Sequence, residues 1–543
     1  MHYSQTLAGA LLCAAALVAP VAAGRFSTCA ALGRCYETCA DAASCYDIPT
    51  VPASIPGGAA AAFLSSNTGL KLDPSLLAFT AAQPSNWTHW QRITVDQTQR
   101  FQTLLGFGGA FTDAAAIHLA ELSEPVQKLA LEAYFGPRGA QYAVGRVPIG
   151  GSDFSTHSYS YDGQAGDYAL KTFALAPEDT QRGGKLDMIG RAQALNAAIE
   201  PARPLSLFAS VWSAPPWLKV NASAKDGFIG GNLDPSPRAQ QAWADYLSRF
   251  ISEYASRGVE LWGITMQNEP FELPFFLAQT WDSMVYSPAQ ALAFVRDHLG
   301  PTLRRDHPRL KLMIHDDQAP NIMATLAGVL SDPAVREFVD GVAIHWYTIP
   351  GHGGDYLTQA HEWLCARNMS NVFLLPTEAC TGFNALLSPP HAGPDLGNWE
   401  RGQTYGLDIL NDLNGMAIGW TDWNLLLDLQ GGPNHANNFC DAPLLMDPKN
   451  ATFVFKQPMY YYLAHFSAFL PPGSVRVGVV SEGPVPMEVT AFARPDNRIA
   501  MVVLNRDYFF AREFYFHDAK RGYVSVNMPA ASVYTFVYDA VAP

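Results

Sequence analysis

The chain has 543 residues, 48% of them apolar and 15% charged, with 35 Lys and Arg against 49 Asp and Glu. That composition supplies a large core and excludes wholesale disorder, and the 43 Gly and 39 Pro show no G-X-Y period, which excludes a collagen. The formal net charge of −14 argues against a general nucleic-acid binder and against a constitutive electrostatic grip on anionic membranes, because both need clustered cations.

Residues 1–24 read as an address. Thr6 to Ala23 is an apolar run ahead of Gly24 and Arg25, with Val21 and Ala23 suited to signal-peptidase cleavage, although His2 is the only basic residue before it. No later run reaches the ~18–20 apolar residues needed to span a bilayer. A secreted or lumenal protein is expected. Cys13 would leave with the signal. Cys29, Cys35, Cys39 and Cys45 are separated by five, three and five residues with no His nearby, which reads as two disulfides in an oxidising compartment and not as a zinc site. Cys365, Cys380 and Cys440 are an odd remainder, so at least one free thiol is expected. Sequons at Asn86, Asn221, Asn368 and Asn450 agree with a secretory route.

The segment 51–100 has strand character, clearest from Trp90 to Val95, and no strong helix; the alanine-rich stretch 58–62 carries no weight. Eight short β-branched runs follow at 103–110, 142–149, 206–214, 260–268, 310–316, 339–347, 371–378 and 415–423. Helical patterns separate most of them. In 237–257, Trp243, Tyr246, Leu247, Phe250, Ile251 and Tyr254 share one face, Ser236 caps, Pro237 suits the first turn and Gly258 ends it. Ser287, Pro288 and Gly300 frame 288–299 in the same way. Strands alternating with helices imply parallel βα units; closure into a (β/α)8 TIM barrel is the simplest arrangement, and a doubly wound open sheet is the alternative from pattern alone. After residue 470 come six strand-like runs, ending at 531–538, that read as an antiparallel β-sandwich completed by segment 51–100.

Active sites of such barrels lie at the C-terminal strand ends. Carboxylates end runs 4 and 7, as Asn268-Glu269-Pro270 and Thr377-Glu378-Ala379-Cys380. Runs 3, 6 and 8 end in Trp212, in His345-Trp346-Tyr347 and in Trp423. Two carboxylates facing across a pocket are what glycoside hydrolysis needs, aromatic faces stack on sugar rings, and Asn268 is placed to meet a sugar 2-hydroxyl. Other motifs fail. Gly106-Phe107-Gly108-Gly109 lacks the third glycine of a dinucleotide fingerprint, 150–154 lacks the last glycine of a nucleophile elbow, and 361–365 lacks the second His of a zinc-protease helix. His315-Asp316-Asp317 reads as a hydrogen-bonded strand end in preference to a metal site.

The segments GFGGAFTDAAA (106–116), YAVGRVPIGGSDFS (142–155), PPWLK (215–219), MQNEP (266–270), VAIHWY (342–347), TEAC (377–380), GWTDWNL (419–425), GGPN (431–434) and KQPMYYYLAHFS (456–467) together resemble the lysosomal-type glucosylceramidases of glycoside hydrolase family 30. The resemblance covers essentially the whole mature chain. It implies Glu269 as acid/base and Glu378 as nucleophile. It also implies Asp113, Trp212, Asn268, Trp423 and Asn438 as glucose-binding residues, His345 and Tyr347 as site-lining residues bonding near the nucleophile, and Arg146 as a buried support. Disulfides Cys29–Cys35 and Cys39–Cys45 are implied, as are a small disulfide-containing β domain (25–50 with about 425–455), a sandwich (51–100 and 470–543) and a catalytic barrel (101–424 and 456–469).

The loops 271–286 and 381–400 depart from the animal enzymes, and Trp281 is expected to replace an entrance aromatic. The implied activity is retaining hydrolysis of glucosylceramide, with Glu269 protonated at the working pH and with no metal or organic cofactor. Implied partners are a glycolipid at a membrane or micelle surface and a saposin-like activator or anionic lipid, with no nucleic acid, in the lysosome or vacuole lumen or outside the cell. A steryl glucoside, β-1,6-glucan or xylan is the alternative substrate, and a non-catalytic carbohydrate- or lipid-binding protein the remote one.

Overall fold

The computed structural model describes residues 25–30, 34–83, 91–225, 231–271, 281–383 and 392–540. The leader 1–24, Trp90, the Asn86 sequon and most of the loop after Glu269 lie outside these residues. Among the described residues no helix is long and apolar enough to cross a membrane. The other three sequon asparagines are exposed or half-exposed.

Eight parallel strands form the centre: β1 (Gly106–Ala110), β2 (Val144–Ile149), β3 (Ser206–Val211), β4 (Gly263–Thr265), β5 (Lys311–Gln318), β6 (Gly341–His345), β7 (Phe373–Glu378) and β8 (Gly419–Asn424). They pair in the order β7-β6-β5-β4-β3-β2-β1-β8. The Leu374–Ala417 bridge, with Ile418 N–H donating to the Leu374 carbonyl at 2.9 Å, joins β7 to the lead-in of β8 and closes the barrel. Helices cover the outside, so β2, β4, β6 and β8 are buried throughout, which is why they read as apolar runs without alternation.

The side-chain period of two stacks the barrel interior in layers. Val144, Phe208, Met313, Ala343 and Leu375 form an apolar plug. Two residues further along β2, β3, β6 and β7 come Arg146, Ser210, His345 and Thr377, and just past the ends of β3 and β6 come Trp212 and Tyr347. Sequence alternation thus places a polar floor above a dry plug.

Two sequence expectations shift. The run 260–268 yields strand only at Gly263–Thr265, and the chain then leaves the sheet so that Glu269 takes a left-handed φ of 47°. The helix expected to stop at Gly300 continues: Pro288–Phe294, a widened π turn at Val295–Leu299, then Gly300–Asp306. Gly300 is a packing glycine, since a Cβ there would sit 2.4 Å from the Phe338 ring. The wide turn also precedes Pro301, whose missing N–H cannot continue an α ladder. The helix Pro237–Ala255 matches its sequence signals, with Ser236 Oγ accepting from Ala239 N–H at 3.4 Å.

The sandwich is a nine-stranded sheet. Three strands come from the N-terminal side (Ala59–Ser66, Asp73–Ala78, Gln91–Thr103) and six from Val475 to Asp539. It curls until Phe516 packs on Phe79 and Tyr538 from the far strands. The third unit is a five-stranded sheet of Thr28–Ala30, Arg34–Cys39, Asn450–Lys456, Leu444–Asp447 and Leu426–Asp428. It is stapled by Cys29–Cys35 and Cys39–Cys45. Beneath it Lys71 and Lys456 pair with Glu37 and Asp47 in a buried cluster capped by Tyr461.

Buried carboxyl groups make stability depend on pH. Burial raises Asp282 to about 6, and burial reinforced by Glu269 raises Asp317 to about 7. Burial also raises the adjoining Asp408 and Asp412, which share a hydrogen bond on helix Trp399–Asn414, and it raises Asp422. Each folded value lies above the unfolded one near 3.9, so stability falls as pH climbs from about 4 through the folded values, while the unfolded chain ionises and the folded one does not. His345, held up to about 10, acts in the same sense above pH ~6.5. His315 and His465, buried and held near 3, act oppositely between about 3 and 6.5. The carboxyl groups outnumber these two histidines. The melting temperature is therefore expected to fall between pH 5 and pH 7, each net proton held across that span amounting to about 2.7 kcal/mol. Differential scanning calorimetry reads this, and a rising melting temperature would contradict it.

Candidate active site

Arg146 on β2 is fully buried at the centre of the floor. Its guanidinium hydrogen-bonds Glu378 Oε2, reaches Asn268 Oδ1 at 2.7 Å and Asp316 Oδ2 at 3.0 Å, and its Nε meets Ser210 Oγ at 3.1 Å. Burial alone would lower its pKa, but Asp316 and Glu378 more than offset that and raise it. A cation so placed is what allows carboxylates to stay charged in a dry pocket.

Asp316 is the second hub. A bulge at 315–317 gives His315 and Asp316 positive φ of 77° and 52° and turns the Asp316 carboxylate inward. It accepts from Thr265 Oγ1 and Thr377 Oγ1, both at 2.7 Å, and from His345 Nε2 at 3.1 Å. Burial would raise it, but Arg146, His345 and Thr377 hold it well below the carboxylate range.

The two sequence-nominated glutamates face one imidazole. Glu269 Oε1 lies 3.2 Å from His345 Nδ1 and accepts from Gln318 Nε2 at 3.1 Å; Glu378 Oε2 lies 3.9 Å from His345 Nε2. Burial would depress His345, but Glu378, Asp316 and Glu269 hold it up to about 10, so it is an imidazolium with both N–H groups committed to carboxylates. The sequence placed His345 beside the nucleophile. The structure ties it by hydrogen bonds to Glu269 and Asp316, while Tyr347 Oη donates to Glu378 Oε1 at 2.7 Å.

Trp212 and Trp423 stack at 5.2 Å and 16° and lie over the Arg146 guanidinium at 4.9 and 5.2 Å, with Phe154 edge-on to Trp423. The half-buried Trp281 packs into the same cluster. Asn438 Nδ2 donates to Asp153 Oδ2 at 3.1 Å.

Asp113 adjoins the loop that carries Asp153, with Ala114 N–H donating to the Phe154 carbonyl at 2.9 Å. Both oxygens of Asp113 are engaged, by Lys185 Nζ at 3.0 Å, Ser155 Oγ at 2.6 Å and Tyr159 Oη at 3.0 Å, in a buried polar cluster that also holds Asp179. Asp153 is a further carboxyl beside the two glutamates. It is buried, its Oδ1 has no hydrogen-bond partner, and burial together with the charges of Glu378 and Glu269 raises its pKa well above the usual range. Asp153, Asp316 and Gln318 are the site residues that sequence reasoning passed over. Gly150-Gly151 after β2, which parallels Gly108-Gly109 inside β1, was the available signal for Asp153.

The pattern described as the glycosyl hydrolase family 30 TIM-barrel domain matches residues 104–470, and that of the family 30 β-sandwich domain matches residues 473–536. Lysosomal acid glucosylceramidase of Mus musculus is 35% identical over 492 residues, covering 90% of each chain. Endo-1,6-beta-D-glucanase neg1 of Aspergillus fumigatus is 26% identical over 483 residues, covering 84% of this chain and 89% of its own. SrfJ of Salmonella typhimurium shares the fold with a TM-score of 0.77 at 24% identity, over 89% of this chain and 100% of that one. The matches run through barrel and sandwich alike: the chain belongs to glycosyl hydrolase family 30 and is a retaining glycosidase acting on a β-glycoside.

Proposed function

We propose that the protein hydrolyses glucosylceramide to glucose and ceramide, with Glu378 as nucleophile and Glu269 as acid/base. The reading is carried by the two carboxylates set across one imidazolium, in a chain whose likeness to a glucosylceramidase spans nine-tenths of both proteins.

Glu378 attacks the anomeric carbon as its bond to the ceramide oxygen breaks, and Glu269 gives that oxygen a proton. A covalent glucosyl-enzyme results. Glu269, now a carboxylate facing the His345 N–H, takes a proton from water, whose oxygen displaces Glu378. Arg146 and Tyr347 aim the nucleophile through its two oxygens. The Asn268 carbonyl is anchored on Arg146, which leaves its amide nitrogen to meet the sugar 2-hydroxyl as charge develops. Trp212 and Trp423 supply the apolar wall, and Asp153 and Asn438 bind sugar hydroxyls. Two disulfides and four sequons favour an oxidising, secretory setting, in the lysosome or vacuole lumen or outside the cell.

Glucose release from glucosylceramide in detergent micelles near pH 5 tests the substrate. Release is the expected result. Cleavage of β-1,6-glucan with no action on the lipid would transfer the mechanism to the other relative's substrate.

Asp153 and Asp113 should separate in the same assay. Asp153→Ala is expected to cost roughly two- to tenfold in kcat/KM, the worth of one hydrogen bond to a neutral acid at ~0.5–1.5 kcal/mol, with little change in melting temperature. Asp113→Ala removes one of the two carboxylates paired with Lys185 and should lower the melting temperature instead. The reverse pattern would make Asp113 the sugar ligand, as the resemblance implies.

A further inference from the structure

Of the three free cysteines among the described residues, two lie beside the nucleophile. Cys380 follows Glu378 by two residues, and Cys440 comes from the segment before strand Leu444–Asp447. The backbone joins the two segments, with Asp441 N–H donating to the Thr381 carbonyl at 2.8 Å. Both thiols are buried in the apolar cluster that contains Trp212 and Trp423, and their side chains hydrogen-bond to one another. The contacts continue in both directions. Asn424 Nδ2 donates to Cys440 Sγ at 3.6 Å, Cys380 Sγ lies 3.6 Å from Tyr347 Oη, and Tyr347 donates to Glu378. Tyr347 spends its only proton on Glu378, so Cys380 S–H is the donor to the tyrosine oxygen, and Cys440 S–H donates to the Cys380 sulfur. Burial keeps both sulfurs protonated and therefore able to donate, and it makes their oxidation slow, since the thiolate is the attacking form.

We propose that Cys380 and Cys440 are an oxidisable dithiol that supports the nucleophile through Tyr347, and that its conversion to a disulfide by a peroxide turns the enzyme down. In the first step the peroxide O–O bond breaks, Cys380 becomes a sulfenic acid and one water leaves. In the second the Cys440 sulfur attacks, the S–S bond forms, the S–OH bond breaks and a second water leaves. Two electrons pass from the thiols to the peroxide. The disulfide has no S–H, so Tyr347 loses its donor, and the Cys380 sulfur is drawn towards Cys440. Both thiols act as positioning groups, since neither touches the reacting atoms.

The inference rests on Glu378 being the nucleophile, so the test reads the disulfide and the activity separately. Purified protein is treated with hydrogen peroxide, assayed on an aryl β-glucoside, and mapped by mass spectrometry after alkylation. The expected outcome is a Cys380–Cys440 linked peptide, with kcat lowered about fivefold or more, the worth of one hydrogen bond, and KM little changed. Mild reduction should restore the rate. Cys365→Ser, which removes the exposed thiol, should respond like the parent. Cys380→Ser, or Cys380→Ala where serine is not tolerated, should keep its own starting rate after peroxide. Both cysteines remaining alkylatable, a disulfide without loss of rate, or equal loss in the Cys380 variant would each overturn the proposal. A protein that cleaves no β-glucoside before oxidation would count against the proposed function, and the linked peptide would still decide whether the dithiol forms.

Discussion

Glu378→Gln is expected to lower turnover of glucosylceramide and of aryl glucosides by at least about 10⁴-fold, more than ~5 kcal/mol of barrier. The amide keeps the shape: its oxygen can still accept from Arg146 while its NH2 meets Tyr347 Oη, which turns to accept, so the pocket should hold its form. It cannot make the glycosyl ester through which the two-step path runs. Because the floor keeps Asp316 as a partner for Arg146, the variant should fold, and an unchanged near-ultraviolet circular dichroism spectrum checks this. Turnover within tenfold of the parent would remove Glu378 from the nucleophile's role.

Glu269→Ala should behave differently. Removing the acid/base is expected to cost about 10²–10⁴-fold. The loss should be smallest on substrates whose leaving group departs without a proton. The vacated space retains the His345 imidazolium and the Gln318 amide, two donors that had faced a carboxylate. That is a site for a small anion. Azide should therefore enter, attack the glycosyl-enzyme and raise the rate tenfold or more. The product should be β-glucosyl azide, since two displacements restore the configuration. An α-azide would instead place the nucleophile at the mutated position, and no rescue would remove Glu269 from the acid/base role.

The barrel could be read in the sequence because strands buried on both faces give continuous apolar runs, and the sandwich because turn residues such as Pro495-Asp496-Asn497 punctuate it. The strand Ala59–Ser66 escaped notice because alanine carries little β propensity. Its order comes from tertiary packing: Ala60, Ala62 and Leu64 face the sandwich core, and Ala61 and Phe63 face the barrel side. The two glutamates could be nominated because each ends a barrel run beside aromatics. Asp113 and Asp153 look alike in the sequence, each a few residues after a Gly-Gly pair, and only the fold brings Lys185, Ser155 and Tyr159 onto the first and leaves an oxygen of the second unpartnered. Asp316 was passed over for a related reason, since its importance comes from a bulge with positive φ that residue type does not announce.

The measurement that bears most directly on the central claim is trapping the covalent intermediate. A 2-deoxy-2-fluoro-β-glucosyl fluoride should form the glycosyl ester, and the fluorine should slow its hydrolysis by disfavouring the oxocarbenium-like transition state. The account predicts time-dependent inactivation with one sugar per chain, on the peptide that contains Glu378. Labelling of Glu269 or Asp153, or full activity with no label, would contradict it.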